Sequence, residues 1–459
     1  MRKPAEDNIS SRGAETIVAI ATPPGRGAVG IVRLSGKNAA SIAARVTGEL
    51  PAPRLAALRH FRDENGDVLD QGLVVFFPAP ASFSGEDVVE LHGHGGPVVL
   101  HALLQVACVF GARLARAGEF SERAFLNGRM DLAQAEAIAD LIDAGSREAA
   151  MAANRSLNGE LSSRVRALME ELTQLRVFVE GALDFSDEDV NWLSDESLRT
   201  RLEIVREHMR ELISQAAQGR RLREGLIVAI AGQPNVGKST LLNRLAGTDA
   251  AIVTEIAGTT RDVLREDIVL DGLPLTVVDT AGLRETQDPV EREGVRRAWR
   301  ALERAEVVLF MIDDRAGLTR ADEDLLERLP CGPEVLLIYN KCDSSGRPAS
   351  CSREDQRTVL RIAAQTGAGV EFLAAEIKRI AGLGSGTEGL FSARTRHIEA
   401  LQRTLAFVLD AQRRLIEGAT PELAAEELRL AQQALSEITG AFTTEDLLGR
   451  IFADFCIGK

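Results

Sequence analysis

None of the five cysteines, at 108, 331, 342, 351 and 456, forms a C-x-x-C pair. That absence argues against a zinc site or disulfide framework and for free thiols in a reducing compartment. Long apolar runs are missing near the start as well. The longest, "IVAIA" at 17–21, is too short for a secretory leader or a membrane span. A basic excess is also lacking. The net charge of −14 argues against broad coating of nucleic acid, which needs cationic surface to neutralise phosphates. A local basic patch or a basic partner stays open. There is no internal repeat and no low-complexity segment. These absences lead to the expectation of a cytoplasmic chain without membrane segments. Its 459 residues suffice for two to four domains with proper cores.

Three textures are present. Residues 1 to about 125 mix short β-like runs ("ETIVAIAT", "GIVRLSG", "LVVFF", "VVELHGHGG") with Gly and Pro turns, an α+β pattern. Residues from about 129 to 222 are rich in Ala, Leu, Glu and Arg at helical spacing. Residues 225 to about 384 alternate apolar strands with helices, as a parallel α/β domain does. The remainder is helical. There Thr420 can cap, Pro421 suits the first helical position and Gly440 can end the helix, with Leu428, Ala431, Leu435 and Ile438 as one apolar stripe. Thr443 and Asp446 suit the start of a last helix. Two helical stretches flank the α/β segment, which predicts that they pack together and that the α/β domain is an insertion.

The strongest motif is "LIVAIAGQPNVGKSTLLNRL". Residues 232–239 fit G-x-x-x-x-G-K-[ST] between a strand and a helix. Glycines there let backbone N–H groups turn around phosphates. Lys238 reaches the β- and γ-phosphates, and the Ser239 hydroxyl can ligate Mg²⁺. The loop Asn235, Val236, Gly237, Lys238, Ser239, Thr240 is therefore expected to hold GTP. "GTTRD" supplies Thr260 to close on Mg²⁺ and the γ-phosphate. "VVDTAG" sets Asp279 at a strand end facing the metal's outer shell, followed by Thr280, Ala281 and Gly282, whose N–H can sense the γ-phosphate. "VLLIYNKCD" puts Asn340, Lys341 and Asp343 after a buried strand. A carboxylate there accepts two N–H bonds from guanine and finds no such donor pair on adenine, so GTP is expected over ATP. The later "IAAQTGAG" has Ala363 where such proteins often carry serine, leaving guanine contact to backbone groups and Ala364.

Other features read less directly. "GRGAVG" at 25–30 matches G-x-G-x-x-G, but the next residues look like a strand, so a turn is expected and not a dinucleotide site. His92 and His94, among glycines without a third ligand, are expected as turn or interface residues. Leu283 stands where many Ras-type switches carry a glutamine that positions water. Arg284 is one candidate for the missing positive charge. Cys456, three residues from the end, is either a nucleophile or a small packed hydrophobe; Phe455 and Ile457 favour its partial burial.

The sequence resembles the MnmE (TrmE) family of tRNA-modification GTPases over nearly the whole chain. The resemblance rests on "ATPPGRGAVGIVRLSG", "GEDVVELHGHGGP", "GEFSERAFLNGRMDLAQAEAIADLIDA", the nucleotide motifs, "EELRLAQQALSEITG" and the terminal "FCIGK". It implies a multi-domain α/β protein. An N-terminal α+β folate-binding and dimerisation domain would cover 1–128. A discontinuous all-α helical domain would cover 129–222 and 385–459, with a P-loop, Ras-like G domain inserted at 223–384.

It further implies a homodimer that joins the FAD-dependent MnmG (GidA) in a heterotetramer. That complex adds an aminomethyl or carboxymethylaminomethyl group to the wobble uridine of certain tRNAs. The one-carbon unit would come from a 5-formyl or methylene tetrahydrofolate, held by Arg33, Glu90, Arg129 and Lys459. Arg129 stands where many members have lysine, which keeps the charge but changes the donor geometry; Arg33 and Glu90 alone would read as a surface ion pair. A potassium ion would take the place of an arginine finger, bound by Asn235, Thr254, Ile256 and Thr259 when two G domains meet. Glu255, Ala257 and Gly258 lie in the same loop and, with Thr254, Ile256 and Thr259, would contact GTP. Glu291 in "DPVEREG" would orient the attacking water, and Pro289 departs from many members beside it. The competing class is a regulatory or ribosome-assembly switch without modification chemistry. That class usually carries a basic RNA-binding module, which is not visible here, and has no use for the N-terminal block or "FCIGK".

Overall fold

The computed structural model describes residues 15–184, 196–247, 265–279, 302–354, 357–383, 389–416, 421–441, 445–453 and 455–458, with 296, 299 and 300. The chain divides into two compact units, residues 1–139 with 436–459, and residues 140–435. These cuts do not coincide with the boundaries at 128, 222 and 384 that the resemblance implies. The last residues belong with the first unit because the chain end enters its sheet region, with Ala117 bridged to Ile457.

The first unit is built on six strands: β1 (Ile17–Ile20), β2 (Gly27–Ser35), β3 (Ala57–Arg62), β4 (Val68–Phe77), β5 (Val88–Gly95) and β6 (Arg113–Leu114), in the order β3-β4-β5-β2-β1-β6. All neighbours are antiparallel except β1 and β6. Side chains alternate between faces with a period of two. Val32, Leu34, Val89 and Leu91 point into a core with Phe61, Val74 and residues of the helices Ala39–Thr47 and Pro97–Val109. Arg33 and Glu90, opposite each other in the β2–β5 register, take the other face. On that side Ile17, Ala19, Ala115 and Phe120 form a second, smaller cluster with Phe83 against it. "GRGAVG" is a turn running into β2, with Gly25 at φ +130, and no helix begins there. His92 and His94, expected in a turn or at an interface, lie within β5, because Val88–Gly95 runs on as a paired strand to its last glycine.

A buried ion network ties the helix Glu119–Leu126 to this sheet. Arg113 donates to Glu119 at 2.7 and 3.0 Å, and Arg123 links Glu119 to Glu86. Burial alone would raise the Glu119 carboxyl, but the Arg113 fork, the Arg116 N–H and Arg123 hold it at about 2. A carboxyl depressed on folding stabilises the fold above its unfolded value, near 4.5, and loses that contribution as pH falls towards 2. Glu119→Gln is therefore expected to lower stability at neutral pH and to flatten its decline between about pH 4.5 and 2, read by chemical unfolding across pH. An unchanged acid slope would remove Glu119 from the account.

The second unit contains a seven-stranded sheet: β7 (Leu226–Gly232), β8 (Arg265–Leu270), β9 (Leu273–Asp279), β10 (Val307–Asp313), β11 (Glu334–Asn340), β12 (Ser350–Glu354) and β13 (Arg357–Ile362). The order is β12-β13-β11-β10-β7-β9-β8. Its inner strands are parallel, while the edges β8 and β12 are antiparallel. The parallel strands are apolar on both faces because both are covered. Val228, Ile230, Leu309 and Met311 enter one core, and Ala229, Ala231, Phe310 and Ile312 the other.

Around this sheet lie long helices. Glu196–Glu224 packs against Thr395–Ile416 and Glu160–Asp184, as expected for helical stretches flanking an insertion. Pro421 opens the helix Pro421–Ser436, whose stripe Leu428, Ala431 and Leu435 is buried, while Ile438, expected to continue that stripe, is buried beyond the helix end. That helix ends at Ser436, whose carbonyl accepts the N–H of Gly440. Thr420 and Thr443 lie outside the described residues. Among the described residues no helix is long and apolar enough to cross a membrane, and all five cysteines are free.

Candidate functional site

The phosphate loop connects β7 to the helix Lys238–Ala246. Its backbone carries three left-handed or mirror-β residues: Gly232 at φ +138, Asn235 at +64 and Gly237 at +101. Gly232 lies against the Met311 carbonyl and Gly237 against Asn340, so neither has room for a Cβ. Lys238 folds back over the loop, its Nζ donating to the carbonyls of Gly232 at 2.8 Å and Gln233 at 3.0 Å. Asn235, Ser239 and Thr240 are exposed, while Val236 is buried. Lys238 and Ser239 stand in the first turn of a helix whose N–H groups lack intrahelical partners, an arrangement suited to an anion and its cation.

The second part of the site comes from the ends of β10, β11 and β13. Asn340 is buried, and its side chain faces two ways. Nδ2 donates to the Val236 carbonyl at 2.7 Å, and Oδ1 accepts from the Ala364 N–H at 2.9 Å. The phosphate loop and the 363–369 loop are thus tied through one amide. Lys341, at φ +70, donates to the Asn235 carbonyl and to Asp313 Oδ2 at 2.9 Å. The Arg315 guanidinium, followed by Lys341, holds Asp313 far below the usual carboxylate range despite burial. Sequence reading missed Asp313, although its place at the end of "VVLFMID" was a usable signal. Asp343 is exposed and accepts the N–H of Ser344. Burial pushes the neighbouring Cys342 thiol up, which leaves it protonated.

Several expected residues lie outside the described ones: Thr254, Glu255, Ile256, Ala257, Gly258, Thr259, Thr260, Thr280, Ala281, Gly282, Leu283, Arg284, Pro289, Glu291 and Lys459. Asp279 closes β9, as the motif order predicted; its side chain is not among those described.

A separate constellation lies in the first unit. Arg33 donates through Nε and Nη2 to Glu90 Oε1 at 2.9 and 2.8 Å. Only 20% and 16% of the two side chains is exposed, so this is not the surface ion pair that the residues alone suggest. Arg33 also sits 5.3 Å from the Phe83 ring and 5.8 Å from Phe120, and reaches the Gly458 carbonyl at 3.4 Å. His92 Nε2 lies 3.1 Å from Glu90 Oε2. Phe83, Phe120, His92 and Gly458 were not legible as members of this group, since loop, helix and chain end converge only in the fold. Arg129 is exposed at the end of Glu119–Leu126, its side chain beside Gly85. Cys456, expected partly buried, is exposed: Phe455 turns inward at 5% exposure, Cys456 and Ile457, the latter at 64%, face out, and Gly458 is buried again. Among the described residues no group of three His, Cys, Asp or Glu could hold a metal. His94 instead pairs with Asp70 at 2.7 Å.

Two family descriptions match: the GTP-binding protein TrmE N-terminus over residues 16–129, and the MnmE helical domain over 132–456. The tRNA modification GTPase MnmE of Methylococcus capsulatus is 54% identical, over 97% of this chain and 99% of that one. The Nitrosococcus oceani protein of the same name is 52% identical over 98% of each, and that of Proteus mirabilis 52% over 97% and 99%. Among solved structures, Era with MgGDPNP and 16S ribosomal RNA is 29% identical over 40% of this chain and 66% of that chain; its TM-score of 0.28 adds nothing to the assignment. A phosphate loop on a doubly covered, mainly parallel sheet in one unit and a mainly antiparallel N-terminal sheet in the other agree with those near full-length matches, and the chain belongs to the MnmE family of tRNA modification GTPases.

Proposed function

We propose that the chain is a potassium-activated GTP hydrolase that works with an FAD-dependent MnmG partner on the wobble uridine of tRNA, adding an aminomethyl or carboxymethylaminomethyl group. The observation that carries this reading is the Asn340 amide, which ties the phosphate loop to the 363–369 loop at 2.7 and 2.9 Å. Lys238 and the N–H groups of its helix hold the nucleotide phosphates, and Asp343 selects guanine. Ser239 and Thr260 hold Mg²⁺. Asn235, whose side chain is exposed beside the loop, suits a monovalent cation by its amide oxygen, with Thr254, Ile256 and Thr259 completing the set. A potassium ion there supplies the positive charge that an arginine finger supplies elsewhere. Hydrolysis then requires two G domains to meet, which makes the active form a homodimer. Glu291 orients the attacking water.

The Arg33–Glu90 group suits a folate. A guanidinium fork, a carboxylate and two aromatic rings lie side by side, which matches a flat ring with polar edges and an anionic tail. Arg129 and Lys459 add cationic contacts. Cys456, whose thiol is free and exposed, is the candidate for the modification chemistry. The four segments 1–128, 129–222, 223–384 and 385–459 of the expected domain plan divide this work between folate binding, helical coupling and GTP hydrolysis.

The test is genetic and chemical. In cells lacking the gene, tRNA is expected to lose the modified wobble uridine, regain it with the intact chain and fail to regain it with Lys238→Ala. Full recovery with Lys238→Ala would detach the modification from the nucleotide site. Retention of the modification in the deleted cells would favour the regulatory switch.

A further inference from the structure

The 363–369 loop lacks the serine and lysine that often fix such a loop: Ala363 and Gln365 stand there. It is closed internally by Ala363 N to the Ala368 carbonyl at 2.9 Å and Gly367 N to the Ala363 carbonyl at 2.8 Å. The carbonyls of Ala364 and Gln365 are left facing the helix Lys238–Ala246. Both are taken by one side chain on that helix. Arg244 donates through Nε to the Ala364 carbonyl at 3.2 Å and through Nη2 to the Gln365 carbonyl. Its guanidinium also lies against Gly367. Ala364 is thereby held from two sides, its N–H by Asn340 and its carbonyl by Arg244. A cavity of about 340 Å³ opens at this junction, lined by Thr240, Asn243, Arg244, Gly247, Ala364 and Gln365.

A guanidinium presents donors in a rigid planar fork set to span two successive carbonyls, whereas an ammonium is a point charge on a flexible stem without that fixed geometry. The competing explanation is plainer. Arg244 occupies the last turn of its helix, where any cation favours the helix dipole. That role would act on stability and would be indifferent to the nucleobase.

We propose that Arg244 is a positioning residue for the nucleobase: by clamping the Ala364 and Gln365 carbonyls it fixes the loop against the helix that follows the phosphate loop, and so sets guanine selectivity. This rests on the guanine-nucleotide reading above. The experiment measures GDP and ADP binding by competition on the full-length chain, intact and as Arg244→Ala and Arg244→Lys, together with melting temperature without nucleotide. GDP affinity is expected to fall about three- to tenfold in Arg244→Ala while ADP affinity holds, a change on the scale of a lost exposed charged contact. Arg244→Lys recovers part of the loss because one donor still reaches one carbonyl. Equal losses for GDP and ADP, or a lower melting temperature with an unchanged GDP-to-ADP ratio, would overturn the proposal in favour of the dipole role. An intact chain that binds GDP and ADP alike would sink the guanine reading, and this inference with it.

Discussion

Exchanging potassium for sodium at constant ionic strength is expected to lower GTP turnover by about 10³-fold or more. An arginine finger contributes ~10³–10⁵ in rate, equivalent to roughly 4–7 kcal/mol of barrier. Leu283 cannot replace the glutamine found in many switches, so both charge and water positioning must come from elsewhere. The residues proposed around the cation offer an amide oxygen, hydroxyls and backbone carbonyls. Such neutral oxygens suit a large, hard monovalent cation, and a smaller ion would not touch them all. Asn235 is held by backbone geometry, at φ +64 with its carbonyl bound by Lys341, while its side chain stays exposed. Initial GTPase rates in the two salts decide the matter. Equal rates would end the potassium proposal and make Arg284→Ala the next comparison.

Gly237→Ala is expected to reduce GDP affinity by about 10²-fold or more while leaving the helical core folded. Two costs combine. A side chain at φ +101 strains the backbone by roughly 1–3 kcal/mol. Its Cβ would also collide with Asn340 Nδ2, displacing a buried amide that joins two loops. Each buried partner left unsatisfied costs about 1–3 kcal/mol. The change therefore acts on both halves of the nucleotide site at once. Calorimetric GDP titration checks the affinity, and circular dichroism checks that helix content is kept. Affinity within threefold of the intact chain would mean that Asn340 can move aside without consequence.

Much of the nucleotide site was legible because its motifs are local. A strand end, a glycine turn and a helix start carry "GQPNVGKS", and the structure sets those residues between β7 and Lys238–Ala246. "YNKCD" follows a buried strand for the same reason. The stripe Leu428, Ala431 and Leu435 was equally plain, since helical spacing alone puts those side chains on one face, though the helix stops before Ile438. The turn reading of the histidines of "ELHGHGG" failed because two glycines imitate a turn, whereas pairing with β2 and β4 carries the strand through His92 and pairing with β2 carries it on to Gly95. Cys456 misled because apolar neighbours in sequence need not share a side: Phe455 packs inward while Ile457 is exposed.

By itself the sequence determined the phosphate loop, the guanine motif, the alternation of strands and helices, and the resemblance that carries the family. All of these are written within short stretches whose local geometry is set by residue type and spacing. Only the tertiary structure decided that Asn340 joins Val236 to Ala364, that Arg244 closes on the same loop, and that Arg33 meets Glu90, Phe83, Phe120 and the Gly458 carbonyl. Such contacts link residues up to 425 positions apart. No local propensity encodes them; they exist because sheet register and core packing bring those backbones within hydrogen-bond reach.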